Sequence, residues 1–226
     1  MTLLRRLCAE ALGSFFLFAA VIGSGIMAER LAGGNVAVAL LANSIATGAI
    51  LFVLIALLAP LSGAHFNPAV SLALAVRGRL SVRDLAPYIL AQLAGGLLAV
   101  VATHAMFDLP LLQWSAHARS SPGQWLAEGI ATFGLVLAVF GVSGRAPAEA
   151  GGVVALYIVA AYWFAASTSF ANPAITLARS LTDSFSGIAI ADAPWFIACQ
   201  FAGALAGALA ARLLFDAPPP DDEPLG

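Results

Sequence analysis

Asn67-Pro-Ala-Val-Ser-Leu-Ala73 is written a second time, as Asn172-Pro-Ala-Ile-Thr-Leu-Ala178. Asparagine is a favoured helix N-cap and proline is tolerated at the first helical position, so each copy reads as a helix start. Each follows a hydrophobic span, and only about nine to twelve helix-compatible residues come after it, too few to cross a bilayer. Roughly nine residues at a rise of 1.5 Å reach ~13 Å, or half the hydrocarbon thickness. Two such half-helices entering from opposite faces meet N-terminus to N-terminus at the centre. Irregular backbone at that depth is tolerated only where it is buried in protein or lines a wet cavity.

Working outward, the duplication extends to the flanking spans. Ala9-Glu10, followed by Phe15, Leu17, Ala20, Val21 and Gly23, returns as Ala127-Glu128, followed by Phe133, Leu135, Ala138, Val139 and Gly141, at a constant offset of 118. Gln92, Ala94, Gly95 and Leu97 return as Gln200, Ala202, Gly203 and Leu205. Low-charge stretches of near-spanning length run Ala11–Ala28, Val36–Leu58, Ala86–Phe107, Gly129–Gly144, Gly151–Ala166 and Ala193–Ala211. Each half therefore holds three spans, an odd number, which turns the second half upside down relative to the first. Inverted repeats place their site at the midplane between the halves.

The expected fold is an all-α membrane protein with six transmembrane helices plus two re-entrant half-helices, forming a single domain over 1–226. Its repeats cover about 5–108 and 123–215, and 216–226 is expected to be a disordered acidic, proline-rich tail. A chain that is 61% hydrophobic and 10% charged cannot cover itself with polar surface, which excludes a soluble protein and makes the lipid bilayer its first partner. With six spans both termini share one side. Arg5, Arg6, Arg77, Arg79, Arg83, Arg145 and Arg212 fall on that side, against Arg30, Arg119 and Arg179 on the other, so both termini are expected in the cytoplasm. Cys8 and Cys199 read as small buried hydrophobes.

The half-helices aim two positive ends at one point, which repels cations, protons included, and lets neutral solutes pass. Each capping side chain, Asn67 and Asn172, can cap its own helix with its oxygen and offer amide N–H groups to a solute. Gly63, Ala64 and His65 before the first cap, and Thr168, Ser169 and Phe170 before the second, are expected to line the path with backbone carbonyls. Pro68-Ala69 and Pro173-Ala174 complete the two helix starts. Glu10 and Glu128 are carboxylates within spans; they read as acceptors holding the re-entrant loops, with a proton relay as the alternative. Gly95, Gly96, Gly203 and Gly207 read as points of close helix packing.

With these residues in place, the chain resembles the aquaporin or major intrinsic protein family from Ala9-Glu10 to the helix containing Gln200. The resemblance rests on Ser62-Gly-Ala-His-Phe-Asn-Pro-Ala-Val70, the second Asn-Pro-Ala and the paired Ala-Glu. It implies a homotetramer with one pore per protomer. It also implies a four-residue selectivity filter, which counting from the asparagines places at Thr47, Ala160, Ser169 and Ile175. Members of the family carry arginine, and often aromatics, at such a set, whereas these four are neither aromatic nor charged, so a wide, arginine-free filter is expected. Arg179 lies one turn beyond Ile175, toward the outer vestibule, where it is either a displaced donor or a rim charge. The run from Asn172 to Asp183 is similar to bacterial aquaglyceroporins associated with arsenic resistance.

The function these features imply is a passive channel in the cell (inner) membrane for small uncharged solutes: water, glycerol and neutral metalloids such as arsenous acid. The competing class is a secondary transporter, which also uses inverted repeats and broken helices. Against it, Glu10 and Glu128 lie at opposite faces and form no ion-coupling pair. An enzyme is disfavoured because His65, His104 and His117 lack metal-ligand spacing and no nucleophile has a base nearby. No metal, cofactor or nucleic-acid partner is expected.

Overall fold

The structure, a computed structural model, describes residues 1–216. Its regular elements are the helices α1 (Leu3–Leu31), α2 (Val36–Ser62), α3 (Pro68–Val76), α4 (Val82–Met106), α5 (Pro122–Gly141), α6 (Pro147–Phe164), α7 (Pro173–Arg179) and α8 (Ala193–Phe215). All but α3 and α7 are long and apolar enough to cross a membrane. The helices outrun the apolar stretches because capping, not hydropathy, sets their ends. Thr2 accepts from the Arg5 N–H to start α1, and Ser121 and Gln124 form a capping box that starts α5 at Pro122. In the other direction α5 stops at Gly141 rather than Gly144, where the chain turns through a left-handed glycine, φ 85°.

The duplication is visible in the packing. Helix α1 packs on α4 as α5 packs on α8, and α2 meets α6 across the two halves. The closest approaches are equivalent: a Cβ on Gly95 would run into the Ala11 carbonyl, and one on Gly203 into the Gly129 carbonyl. Both glycines thus serve helix contact.

Ion pairs between Arg6 and Asp84 (2.7 Å) and between Arg77 and Asp216 (2.6 Å) gather the chain start, the head of α4, the tail of α3 and the end of α8 on one face. Asp216, expected to belong to the tail, is held by Arg77; the rest of the expected tail, 217–226, lies outside the described residues. At the opposite face, the connection 107–121 runs along the segment that follows α7. Backbone bonds from Gln113 to Leu181 (3.2 Å), Ser115 to Ser180 (3.1 Å) and Ala189 to His117 (2.7 Å) fasten the two together.

Candidate functional site

Helices α3 and α7 both start on an asparagine. The Asn67 side-chain oxygen accepts from the Ala69 N–H at 2.8 Å, and that of Asn172 accepts from Ala174 (3.0 Å) and Ile175 (3.3 Å). The side-chain nitrogens do something the sequence did not foretell. Nδ2 of Asn67 donates to the Ala171 carbonyl at 2.7 Å, and Nδ2 of Asn172 donates to the Phe66 carbonyl at 2.8 Å. Each cap is stapled to the loop of the other half. One N–H of each amide is consumed in this way, so one, not two, is left for a passing solute.

The loops before the caps match position by position. Gly63, Ala64 and Phe66 have φ of 92°, 52° and 50°, and Thr168, Ser169 and Ala171 have 63°, 52° and 47°. Left-handed conformations of non-glycine residues cost roughly 1–3 kcal/mol each, and surrounding contacts must impose them. Glu10, fully buried, supplies those contacts in the first half. It accepts from the N–H groups of His65 (3.0 Å) and Phe66 (2.8 Å), from Ser62 Oγ (2.7 Å) and from Gln92 Nε2 (2.7 Å). Glu128, equally buried, accepts from the N–H groups of Phe170 and Ala171, both at 2.8 Å, and from Gln200 Nε2 at 2.6 Å. Both carboxylates are saturated by loop donors, the arrangement expected of a support. The glutamines, seen in the sequence only as markers of the repeat, turn out to tie the carboxylates to Ser71 and Thr176 on the half-helices.

A cavity of about 500 Å³ passes between the two caps and is lined by Asn67 and Asn172. Toward the face where α1 starts and α8 ends it reaches Arg79 and Arg145, and toward the other it reaches Thr47, Ser169, Ile175 and Arg179. Gly63, Ala64, His65 and Phe170 also line it. Pro68, Ala69, Pro173 and Ala174 are buried behind the asparagines, Ala69 against α8 alanines and Ala174 in the main core. Among the described residues, no carboxylate lines the cavity.

Two expectations need correction. Ala160 is exposed on the outer side of α6 and does not line the cavity; Ile158 and Tyr162 do. Counting back from Asn172 fixes depth along the helix, but two residues rotate a side chain by about 200°, and packing of α6 on α2 decides which of them faces inward. Thr168 is half-buried and is likewise not part of the lining. Arginine and aromatic residues line the same cavity as Thr47, Ser169 and Ile175. Ile175 does stand three residues after Asn172, but Arg179 lines the same space, 2% exposed, and the Tyr162 hydroxyl lies 3.1 Å from that of Thr47.

The connection 107–121 contributes Arg119, which the sequence offered only as a charge on one face. Its Nε donates to the Gly187 carbonyl (2.8 Å), its NH1 to the Ser167 carbonyl (3.2 Å), and its backbone N–H to Asp192 (2.7 Å). Its guanidinium lies 5.0 Å from the centre of the Phe170 ring. Burial lowers its pKa from the usual arginine value, with Glu128 acting in the opposite direction.

Comparison with known proteins agrees with this architecture. Residues 1–167 match the family described as Major intrinsic protein. The aquaglyceroporin AqpS of Rhizobium meliloti (strain 1021) is 55% identical over 203 residues, 90% of this chain and 87% of that protein. Aquaporin NIP1-4 of Oryza sativa subsp. japonica is 33% identical, over 94% of this chain and 78% of its own length. The X-ray structure of the aquaglyceroporin from Plasmodium falciparum superposes with a TM-score of 0.71 at 23% identity, covering 94% of this chain and 95% of that one, a likeness of fold.

Proposed function

The chain belongs to the major intrinsic protein family, and from that premise we propose that it is a passive channel for small uncharged solutes: water, glycerol and neutral metalloid hydroxides such as arsenous acid. The observation that carries this reading is the cavity between the two asparagine caps, lined by both asparagines, by residues of both loops and by arginines and, among the described residues, by no carboxylate. A cation moving through it meets two converging helix N-termini with no anion to offset them, whereas a neutral molecule meets hydrogen-bonding groups against an aliphatic wall of residues such as Leu135, Val154 and Ile158. Arsenous acid, with three hydroxyls and no charge at neutral pH, offers much the same surface as glycerol. Its place among the solutes is supported by the likeness to an aquaglyceroporin.

The pore motifs are Asn67-Pro68-Ala69 and Asn172-Pro173-Ala174, with Glu10 and Glu128 as loop supports. Thr47, Tyr162, Ser169 and Ile175 form the selective end. The chain acts as one domain whose halves, about 5–108 and 123–215, enclose the pore. It sits in the inner membrane with both termini in the cytoplasm, as the arginine distribution favours, and assembles as a homotetramer with a pore in each protomer.

Purified protein in liposomes tests the channel. Stopped-flow light scattering should show water and glycerol fluxes, and arsenite uptake should be linear in concentration, non-saturating and indifferent to imposed ion gradients. Saturation, or dependence on a proton or sodium gradient, would place the protein among carriers instead.

A further inference from the structure

Arg179 is buried in a way that a structural arginine is not. Nε donates to the Ser186 carbonyl, and the guanidinium carbon lies over the Phe170 ring, 3.3 Å from its centre. Beyond that single bond it has no hydrogen-bond partner and no ion pair among the described residues. The nearby carboxylate, Glu128, is already occupied by two backbone N–H groups and Gln200. Arg119, on the same ring, uses Nε and NH1 on two carbonyls and makes a strap. Arg179 keeps four N–H groups without a protein partner in a residue that lines the cavity. A buried charge left this way is unfavourable unless something else meets it. Ser169 also lines the cavity, but its Oγ is buried, with no partner among the described residues.

We propose that Arg179, not the residue directly after the second Asn-Pro-Ala, determines the specificity of the pore, its two terminal amino groups donating to oxygen atoms of the solute while its charge turns cations away. The proposal rests on the channel reading above. Ile175 precedes Arg179 by four residues on α7 and so shares its face, which lets the arginine reach the space that a residue at Ile175 would fill. The class of solute follows from the pairing of donors with apolar wall: Arg179 supplies the donors, and Ile158 and Ile175 are part of the apolar lining, which suits short polyols and neutral hydroxides.

The test uses the full chain in liposomes, with water, glycerol, straight-chain polyols of four to six carbons, and methylammonium with proton leak as the cation probes. In the wild type, water and glycerol pass and the rest are slow. Arg179→Leu should raise methylammonium and proton leak by roughly tenfold or more, as expected for loss of a fixed charge close to the path. It should also let the longer polyols through, as loss of one side chain from a hydrated path implies. Arg179→Lys should keep cations out but still pass the longer polyols, because it retains the charge without the planar group. If Arg179→Leu folds and conducts with the wild-type solute profile and cation block, the proposal is overturned. If neither Arg179→Leu nor Arg179→Gln folds, the proposal is also overturned, since a side chain that meets the solute is dispensable for folding. A wild type that passes neither water nor glycerol overturns the channel reading instead, a result distinct from either.

Discussion

Around Glu10 four donors converge and around Glu128 three, and the two sets are nearly the same object: two successive loop N–H groups, a glutamine from the last long helix of the half, and a loop with three left-handed residues at matching positions. What surrounds each loop differs. In the first half α3 ends in a tight turn through Gly78 and the chain goes straight into α4. In the second, α7 is followed by residues 180–192, strapped by 107–121 and clamped by Arg119. His65, paired with Ser71 at 3.0 Å, stands where the second half has Phe170, the platform for both arginines. The carboxylate supports are thus common to both halves, whereas the strap 107–121 and the Arg119 clamp belong to one end only.

Removing the shared supports gives the largest expected effect. Glu10→Ala leaves two backbone N–H groups, a serine and a glutamine without their acceptor; at roughly 1–3 kcal/mol for each buried unpaired group the loss is several kcal/mol. Glu128→Ala should be about as damaging, with both variants showing low yield of folded protein and a large drop in melting temperature in detergent. Near-normal stability in one and collapse in the other would break the equivalence of the two halves.

Next in size is the charge at the junction. Asn172→Asp keeps a capping oxygen but sets a carboxylate against the Phe66 carbonyl and between the two positive helix ends. Proton leak in liposomes carrying a pH dye should rise on the order of tenfold, by loss of the converging positive field, and Asn67→Asp should match it. Unequal leaks would mean that the barrier is not shared, and an unchanged barrier in both would remove the junction as its seat.

Smaller, and confined to the second half, is Ile175→Arg. A second guanidinium beside Arg179 narrows the selective end and adds like charge, so glycerol and arsenite fluxes should fall several-fold more than water flux. An equal reduction of all three would show that Ile175 does not face the narrow part. The smallest effect expected is that of Ser169→Ala, which removes a buried hydroxyl with no protein partner. Because that oxygen has almost no surface open to the cavity, glycerol flux should stay within about twofold of the wild type, with no change in melting temperature. A clear loss of stability would instead assign Ser169 a structural bond.

Much of this could be read along the chain. Asn-Pro marked two helix starts, the offsets of 118 and 108 paired Glu10 with Glu128 and Gln92 with Gln200, and the intervals between them were too short for further spans. The site was less legible. Thr47, Ser169 and Ile175 line the cavity as spacing suggested, but Ala160 does not, and Tyr162, two residues on, takes the inward place.

What the sequence determined by itself was therefore everything governed by local chemistry and repetition: the number of spans, the caps, the half-helices, and the carboxylates that had to find loop donors because a buried charge needs a partner. Tertiary structure alone decided the angular and long-range facts. The face that α6 turns to the pore depends on how it packs against α2, because spacing fixes height along a helix but not rotation once a loop of uncertain path lies between. The crosswise bonds of Asn67 and Asn172 join atoms more than a hundred positions apart. The reach of Arg179 into the cavity is set by the Phe170 ring and the Ser186 carbonyl, without which a side chain with four rotatable bonds has no preferred direction.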